Sequence, residues 1–428
     1  MNPTRITDVV VIGGGQAGLA MSRCLATQSI DHVVLERGDT ANSWRTERWD
    51  SLRLLTPNWL ARLPGWSYQG DDPDGFMSAA EVAGYLDAYR ASFNAPIRTG
   101  TEVTRITSGG CRHVVETNDG PWSARAVVMA TGACSTPHVP AIAGDMPDHI
   151  EHVTPIGYRN PSQLGVGRVL VVGASASGLQ IADELGRSGR DVTLAVGDHV
   201  RLPRTYRGMD IHWWMDTVGQ LDERYDEVED LDRARRLPSL QLIGSPERRD
   251  LDLTTVAKHG VALAGRLVGR SGDRAQFSGS FANMCTSADL KERRLLDRLD
   301  EYAASHGLDA ELGEATRPSP TISSSPPLLE TDLRSIGTII WATGFRPAYP
   351  WLDADVLDRK GRLVHDGGVL PVPGLYALGL PFMRRRKSSF LDGVGPDAAD
   401  IAEHLVGHLA RDIGSTSPTV ANVRHARR

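Results

Sequence analysis

The sequence predicts an α/β protein in which an apolar strand, a glycine-rich turn and a helix follow one another twice. The first copy covers residues 9–18 and reads VVVIGGGQAG, and the second covers residues 169–178 and reads VLVVGASASG. A glycine turn between a strand and a helix lets backbone amides approach a pyrophosphate, which the helix N-terminus then stabilises. Two such units predict two dinucleotides in one chain, the layout of a flavin enzyme that a nicotinamide reduces.

Two apolar strands that end in Ala-Thr-Gly indicate how the domains are arranged along the chain. Residues 126–129 precede the first ending at 130–132, and residues 338–341 precede the second at 342–344. These endings indicate that the chain passes twice between two nucleotide domains. We therefore predict two Rossmann-like domains. The FAD domain is split between residues 1–165 and 336–428. The NAD(P)H domain is inserted at 166–335 and carries an additional helical and β insertion at 205–335.

The first unit carries the residues that an FAD site requires. Gly13 and Gly15 have no side chains to block the pyrophosphate, and Gly18 lets the helix pack closely on the strand. Glu36 ends the returning strand at 32–36, where a carboxylate can accept hydrogen bonds from both ribose hydroxyls.

The second unit predicts NADPH rather than NADH. No acidic residue closes its second strand at 191–196; Asp198 and His199 come next, and Arg201, Arg204 and Arg207 follow. A missing acid with arginines just beyond favours a 2′-phosphate. Asp198 opposes this preference, since it repels a phosphate.

The insertion carries no motif that identifies a substrate. We predict a helix containing Trp213 and Trp214, a solvated charged helix face at 223–236, strands at 260–264 and 275–277, a helix at 288–304 and a surface loop at 319–327. Trp213, Trp214 and Arg207 are candidate pocket residues, with buried packing as the alternative for the tryptophans. A final strand at 374–379 and a helix at 396–409 enclose the basic run 384–389, which is either a solvated charge run or a contact to flavin or NADPH phosphates.

With both glycine fingerprints and both Ala-Thr-Gly endings in this order, the chain resembles the class B flavoprotein monooxygenases. The similarity covers about residues 8–205 and 336–405 and is strongest to the flavin-containing monooxygenases and the YUCCA-like branch. Residues 42–45 resemble the segment that packs on the flavin, and residues 49–57 resemble the segment that runs beside the isoalloxazine ring. The resemblance implies bound FAD, reduction by NADPH, and a flavin C4a-(hydro)peroxide formed with O2 that oxygenates a small organic substrate. It implies no acid–base triad, and we assign neither a catalytic residue nor a metal.

Three departures from this family pattern keep other functions open. Thr154 stands where the linker signature has a histidine, with His152 two residues out of register, and Leu55 replaces an asparagine near the flavin. The alternatives are an NAD(P)H-dependent flavin reductase or oxidase that does not oxygenate a substrate, and a non-catalytic flavin-binding protein.

The candidate cofactor contacts follow from the fingerprints and from the segments that resemble the family. They are Gly13, Gly15, Gln16, Ala17, Gly18, Glu36, Arg37, Trp44, Arg45, Val103, Thr131, Gly132, Gly173, Ser175, Ser177, Gly178, Arg201, Arg204, Thr343 and Gly344.

Composition limits the partners. With 47 basic and 53 acidic residues the net charge is -6, which argues against nucleic-acid binding. The apolar run at 9–12 is too short for a signal peptide or a membrane span, so we expect a cytoplasmic protein, with a homodimer left open. The four cysteines form no C-x-x-C pair, which argues against a redox disulfide of the usual spacing and against a zinc knuckle.

Overall fold

The computed structural model describes residues 3–321 and 326–414. Its strands are β1 (Arg5–Ile12), β2 (His32–Leu35), β3 (Arg62–Leu63), β4 (Trp66–Ser67), β5 (Ile97–Arg98), β6 (Val103–Gly109), β7 (Arg112–Thr117), β8 (Trp122–Met129), β9 (Glu151–Val153), β10 (Arg168–Val172), β11 (Val192–Ala195), β12 (Val200–Arg201), β13 (Thr205–Tyr206), β14 (Met209–Asp210), β15 (Leu240–Gln241), β16 (Ala262–Ala264), β17 (Leu267–Ser271), β18 (Arg274–Phe277), β19 (Glu330–Asp332), β20 (Ile336–Trp341), β21 (Leu352–Asp353) and β22 (Leu375–Ala377). Its helices are α1 (Gln16–Thr27), α2 (Asn42–Thr46), α3 (Ala79–Ser92), α4 (Ala176–Arg187), α5 (Ile211–Thr217), α6 (Leu231–Arg235), α7 (Leu253–Lys258), α8 (Phe281–Ser305) and α9 (Leu391–Gly414).

The first sheet is built around β1, which is parallel to β2 on one side and to β8 on the other. Its order is β21-β6-β7-β8-β1-β2-β5, and β22 also pairs with β8 in parallel. Val9, Val10 and Val11 are fully buried, as expected for a central parallel strand with both faces covered. β6 and β7 form an antiparallel hairpin within this sheet.

The second sheet repeats this arrangement around β10. Its order is β16-β11-β10-β20-β9, and all four pairings are parallel. The two sheets confirm the predicted α/β class with two dinucleotide-binding units. β9 lies within residues 1–165, which we assigned to the first domain, yet it pairs with β20 in the second sheet. The domain bounds therefore stay a prediction.

Two segments carry the chain between the sheets, and they run side by side. The Thr343 hydroxyl donates to the His138 carbonyl, and the His138 amide donates to the Gly344 carbonyl at 2.9 Å. The Arg346 amide also donates to the Thr136 carbonyl at 2.8 Å. Both Ala-Thr-Gly endings thus lead into crossings, as the sequence predicted.

The insertion differs from the prediction mainly in its charged part. Only α6, at Leu231–Arg235, is helical within 223–236, so the prediction of one charged helix is wrong for most of that segment. The strands at β16 and β18 are confirmed, α5 contains both tryptophans, and α8 begins earlier than predicted, at Phe281. Part of the predicted loop 319–327, residues 322–325, lies outside the described residues.

Two described helices, α8 and α9, have the length that crossing a lipid bilayer requires. Within the described ranges, no helix is both long enough and apolar enough to cross a membrane.

Candidate dinucleotide sites

The first glycine turn is held by contacts that leave no room for a side chain. Gly13 has φ +109°, and a Cβ there would lie 2.5 Å from the Ala130 carbonyl oxygen. A Cβ on Gly18 would lie 1.8 Å from the Gly13 carbonyl oxygen. Strand, turn and helix are therefore in backbone contact, which requires glycine at both positions.

The second glycine turn has the same geometry. Gly173 has φ +107°, and its Cβ would lie 2.3 Å from the Ala342 carbonyl oxygen. A Cβ on Gly178 would lie 1.9 Å from the Gly173 carbonyl oxygen. In both units the alanine of an Ala-Thr-Gly ending faces the first glycine, a link between the two motifs that the sequence alone did not reveal.

Both turns open onto helix ends that can bind a pyrophosphate. Gly15 caps α1 and Ser175 caps α4, and neither cap residue accepts a side-chain hydrogen bond from its helix. A Cβ on Gly15 would meet nothing within 4 Å, so the space in front of α1 is open. Amides at an uncapped helix N-terminus are suited to phosphate oxygens. The residues present therefore fit a dinucleotide at each turn.

Glu36 lies at the tip of β2 beside the first turn. Its two carboxylate oxygens accept hydrogen bonds from the Gly14 amide at 2.6 Å and from the Gly38 amide at 2.9 Å. These bonds fix a nearly buried carboxylate next to the phosphate-facing amides. This is the position in which a carboxylate can accept from ribose hydroxyls.

Gln16 and Trp44 meet at the N-terminus of α1. The Trp44 indole Nε1 donates to Gln16 Oε1 at 3.2 Å, and Gln16 Nε2 donates to the Ser389 carbonyl at 3.1 Å. The Arg48 guanidinium lies 5.2 Å from the centroid of the Trp44 ring. Segment 42–45 and the loop at 384–389 thus both contact the first dinucleotide unit at Gln16.

The other candidates of the first unit surround this point or lie near it. Arg45 donates to the Thr40 carbonyl and pairs with Asp87, whereas Arg37 is exposed and pairs with Glu47. Val103 is buried at the start of β6, Ala17 is buried in α1, and Thr131 and Gly132 follow β8, with Gly132 at φ +74°. Ser177 lies in the first turn of α4 in the second unit. Their contacts to a cofactor stay predictions.

The basic residues of the run at 384–389 are paired with carboxylates elsewhere in the chain, so the prediction of a solvated charge run is wrong. Arg385 Nη1 lies 2.6 Å from Asp397, and Lys387 Nζ lies 2.6 Å from Asp392. Arg384 pairs with Asp400 and Arg386 with Glu223. Within this loop, the Ser389 carbonyl is the group that contacts the first site.

Arg201 and Arg204 are placed in buried ion pairs rather than at an open phosphate site. Arg201 is surrounded by carboxylates, with Asp289 at 2.9 Å, Asp252 at 3.2 Å and Glu292 at 3.5 Å. Asp289 and Glu292 lie in α8 and Asp252 precedes α7, and no pattern in the sequence indicated that these acids surround Arg201. This placement favours a structural role for Arg201 and speaks against the predicted 2′-phosphate contact.

Arg204 connects segment 49–57 to residues 210–212 at the start of α5. Its fully buried guanidinium donates to the Leu55 carbonyl at 2.8 Å and pairs with Asp210 at 2.6 Å. Its Nη2 also contacts His212 Nδ1 at 2.9 Å. Burial lowers the pKa of His212, so the neutral ring accepts this hydrogen bond. Arg204 is thereby a tie between segment 49–57 and α5.

Of the candidate pocket residues, Trp214 packs in the core and Arg207 is paired. Trp214 is fully buried and donates from Nε1 to the Tyr206 carbonyl at 2.8 Å. Arg207 pairs with Asp309 at 2.7 Å and lies 3.4 Å from Asp300. Buried packing, the alternative considered for the tryptophans, is confirmed for Trp214.

We expect Gly15→Ala to reduce FAD content without unfolding the protein. Gly15 has φ −88° and open space around its Cβ position, so alanine fits the fold but its methyl group occupies the space that a pyrophosphate needs. The measurement is the ratio of flavin absorbance to protein absorbance after purification, together with far-UV circular dichroism. Gly144→Ala, another site with open space, is the control. Equal flavin content in both variants would contradict a phosphate site at Gly15.

We expect Glu292→Gln to weaken the dependence of stability on pH. Burial raises the pKa of Glu292 to about 7; nearby Asp289 and Asp252 add to the rise, and Arg201 opposes it. Because the folded-state pKa lies above the unfolded value, this carboxyl stabilises the fold at low pH and that contribution is lost as pH rises through about 7. As pH rises from 5.5 to 8, the free energy of unfolding of the variant should increase relative to that of wild type by about 1–3 kcal/mol.

Urea unfolding of both proteins at pH 5.5 and at pH 8 measures this difference. Glu301→Gln, an exposed change on α8, is the control, and a pH-independent difference would contradict the assignment.

Comparison with known proteins agrees with this geometry. The pyridine nucleotide-disulphide oxidoreductase family matches residues 10–212. A CzcO-like oxidoreductase of Geobacillus kaustophilus is 31% identical over 405 residues, which cover 94% of this chain and 99% of the relative. The probable indole-3-pyruvate monooxygenase YUCCA1 of Arabidopsis thaliana is 30% identical over 208 residues, 47% of this chain and 50% of the relative.

A solved structure shows the same fold over nearly the whole chain. The flavin-containing monooxygenase from Stenotrophomonas maltophilia superposes with a TM-score of 0.66 at 22% identity, covering 95% of this chain and all of the other. The names of the matched family and of this structure describe oxidoreductases that use a pyridine nucleotide or a flavin. The match at 31% identity over nearly the whole chain shows that the protein belongs to the CzcO-type oxidoreductases, and its fold and its two glycine turns are similar to those of the class B flavoprotein monooxygenases.

Proposed function

We propose that the chain is an NADPH- and FAD-dependent monooxygenase that transfers one oxygen atom from O2 to a small organic substrate. The observation that carries the proposal is the duplicated turn, with uncapped helix N-termini at Gly15 and Ser175. The bound flavin would supply hydride acceptance from NADPH and activation of O2, and the residues of the first glycine turn would hold it. We keep a cytoplasmic location and a homodimer as expectations.

The chain's own residues would bind and orient the two cofactors. The α1 amides would hold the FAD pyrophosphate, Glu36 the ribose, and the Gln16–Trp44 pair the flavin end of the site. Arg204 would keep segment 49–57 fixed against the nicotinamide side, because its guanidinium reaches the Leu55 carbonyl. A fixed distance between the two cofactors is what hydride transfer requires.

The alternative is a flavin reductase or oxidase. For such an enzyme, electron transfer from the flavin to a protein disulfide is disfavoured. The four cysteines form no C-x-x-C pair. Burial raises the pKa of Cys24 and of Cys285 to about 11, so both thiols stay protonated near neutral pH. Relay of electrons from flavin to a protein disulfide therefore lacks support, whereas transfer to a quinone or directly to O2 stays open.

Anaerobic stopped-flow spectroscopy tests the proposal. We expect NADPH to bleach the bound flavin, and oxygenated buffer then to produce a lasting absorbance band distinct from those of oxidised and reduced flavin. Labelled O2 should leave one labelled atom in a product once a substrate is found. Direct return to oxidised flavin with stoichiometric hydrogen peroxide, with and without candidate substrates, would favour the oxidase. Absence of bleaching by either nicotinamide would contradict both enzymes.

A cavity of about 500 Å³ beside segment 49–57 is the candidate substrate site. Its lining joins aromatic side chains to two arginines: Trp66, Tyr68, Phe76, Arg53 and Arg248. Arg53 Nη1 donates to the Phe76 carbonyl at 2.7 Å and lies 3.7 Å from Glu81, whereas Arg248 lies 3.6 Å from Asp74, too far for a strong hydrogen bond. Aromatic walls beside the weakly paired Arg248 guanidinium suit an aromatic carboxylate, and a relative is named for indole-3-pyruvate. We propose an aromatic acid as the substrate class.

Binding of indole-3-pyruvate, with neutral indole as the comparison, tests this substrate class. We expect Arg248→Met to weaken binding of the acid about tenfold and to leave indole unchanged, because the variant removes a charge-assisted hydrogen bond. Isothermal titration measures both affinities. Arg187→Met, on the exposed side of α4, is the control. If acid and indole bind equally well to wild type, the arginines do not select the substrate.

A further inference from the structure

We propose that a cavity at the amino ends of the strands of the first sheet binds an α-amino acid with an apolar side chain. Arg98 would pair with the carboxylate of this ligand and Asp31 with its ammonium group. The site is separate from both glycine turns and from the candidate substrate cavity, so the inference does not rest on the proposed function.

The cavity lies at the edge of the first sheet opposite to the glycine turn. Strands β1, β2, β5 and β8 pair in parallel, so their amino ends meet at one edge. The first residues of β2, β5 and β8, namely His32, Ile97 and Trp122, line the cavity together with Thr7 of β1. About 20 Å of extended chain separates Thr7 from Gly13. A ligand in this cavity therefore does not compete with a dinucleotide.

The cavity has the volume and the apolar walls of a small-molecule site. Its volume is about 460 Å³, and ligand pockets generally enclose about 300–1,000 Å³. Its apolar lining consists of aliphatic side chains: Ile6, Val33, Ala95, Pro96 and Ile97. Ile6 is 73% exposed although it lies within a strand. An aliphatic ligand side chain would cover part of this surface, which favours binding.

Arg98 brings to this cavity a cation that the described chain leaves unpaired. The residue is exposed, and its guanidinium makes neither a hydrogen bond nor an ion pair within the described residues. By contrast, Arg5, whose guanidinium lies 5.3 Å from the centroid of the Trp122 ring, pairs with Asp119 at 2.9 Å. An unpaired guanidinium keeps all of its donors for a carboxylate.

The indole of Trp122 supplies the second observation that points to a ligand. Trp122 lines the cavity and is 7% exposed. Its buried Nε1 has no hydrogen-bond partner within residues 3–321 and 326–414. Buried indole N–H groups normally have an acceptor. An oxygen of a bound carboxylate would supply the acceptor that this part of the chain does not.

Asp31 is the acidic group of the cavity, and it decides between an anion and a zwitterion. The residue is exposed, and its Oδ2 accepts a hydrogen bond from the Thr7 hydroxyl at 2.9 Å. Across the described ranges, no ion pair joins Asp31 to Arg98 or to another cation. Asp31 would repel a simple anion and Arg98 a simple cation, whereas an amino acid pairs with both groups.

Three probes with the same branched carbon skeleton separate the two charges of the ligand. L-leucine carries both charges, 4-methylpentanoate lacks the ammonium group, and 3-methylbutylamine lacks the carboxylate. We expect wild type to bind leucine about tenfold more tightly than either of the other two, because each lost charge removes a charge-assisted hydrogen bond. Isothermal titration of the purified protein gives the three affinities independently of turnover.

Two variants assign the charges to their partners. Arg98→Met should weaken leucine binding about tenfold and leave 3-methylbutylamine unchanged, because that probe has no carboxylate. Asp31→Asn should weaken leucine to a similar degree without weakening 4-methylpentanoate. Arg248→Met, which removes a guanidinium from the candidate substrate cavity, is the control, and we expect it to change leucine binding less than about twofold. Far-UV circular dichroism checks that each variant is folded.

Three outcomes would overturn the inference. One is the absence of leucine binding to wild type at millimolar concentrations, and another is equal affinity for all three probes. The third is an effect of Arg248→Met on leucine as large as that of Arg98→Met, which would locate the binding in the substrate cavity. The proposed function fails separately, when neither NADPH nor NADH bleaches the flavin.

Discussion

The close backbone contact between strand and helix at each glycine turn is the constraint on which the rest of the structure depends. Gly18 approaches the Gly13 carbonyl so closely that a Cβ would lie 1.8 Å from it, and Gly178 approaches Gly173 in the same way. This contact directs the first helix amides toward the carboxyl edge of each sheet. Glu36 and the two Ala-Thr-Gly endings lie at those edges, beside two turns of three residues each, 13–15 and 173–175.

Features set by local pattern could be predicted from the sequence. The buried valines of β1, the second strand with Glu36 at its tip and the capping box that starts α3 at Ser78 all arise from neighbouring residues. The helix containing Trp213 and Trp214 also follows from local sequence. In each case the residues that decide the structure lie within one or two turns of one another, so a pattern in the chain carries the information.

Pairing between residues far apart in the chain determines the other features of the structure. For these features the local sequence patterns led to wrong predictions. Arg201 and Arg204 follow a dinucleotide strand and suggest phosphate contacts, yet carboxylates far along the chain surround Arg201 and the Leu55 carbonyl holds Arg204. The basic loop at 384–389 is neutralised by acids from α9 and from residues 222–223 in the same way. β9 joins the second sheet although it lies within residues 1–165, which the sequence assigned to the first domain. No pattern in the sequence around these residues identifies their partners.

These pairings also decide which cations can still serve a ligand. A buried guanidinium with several oxygen partners gives up those bonds only at a cost of several kcal/mol, so Arg201 and Arg204 are fixed parts of the fold. The decisive property of a basic residue near a dinucleotide unit is therefore not its distance from the glycine fingerprint in sequence. The decisive property is whether its charge is already paired with a carboxylate of the fold.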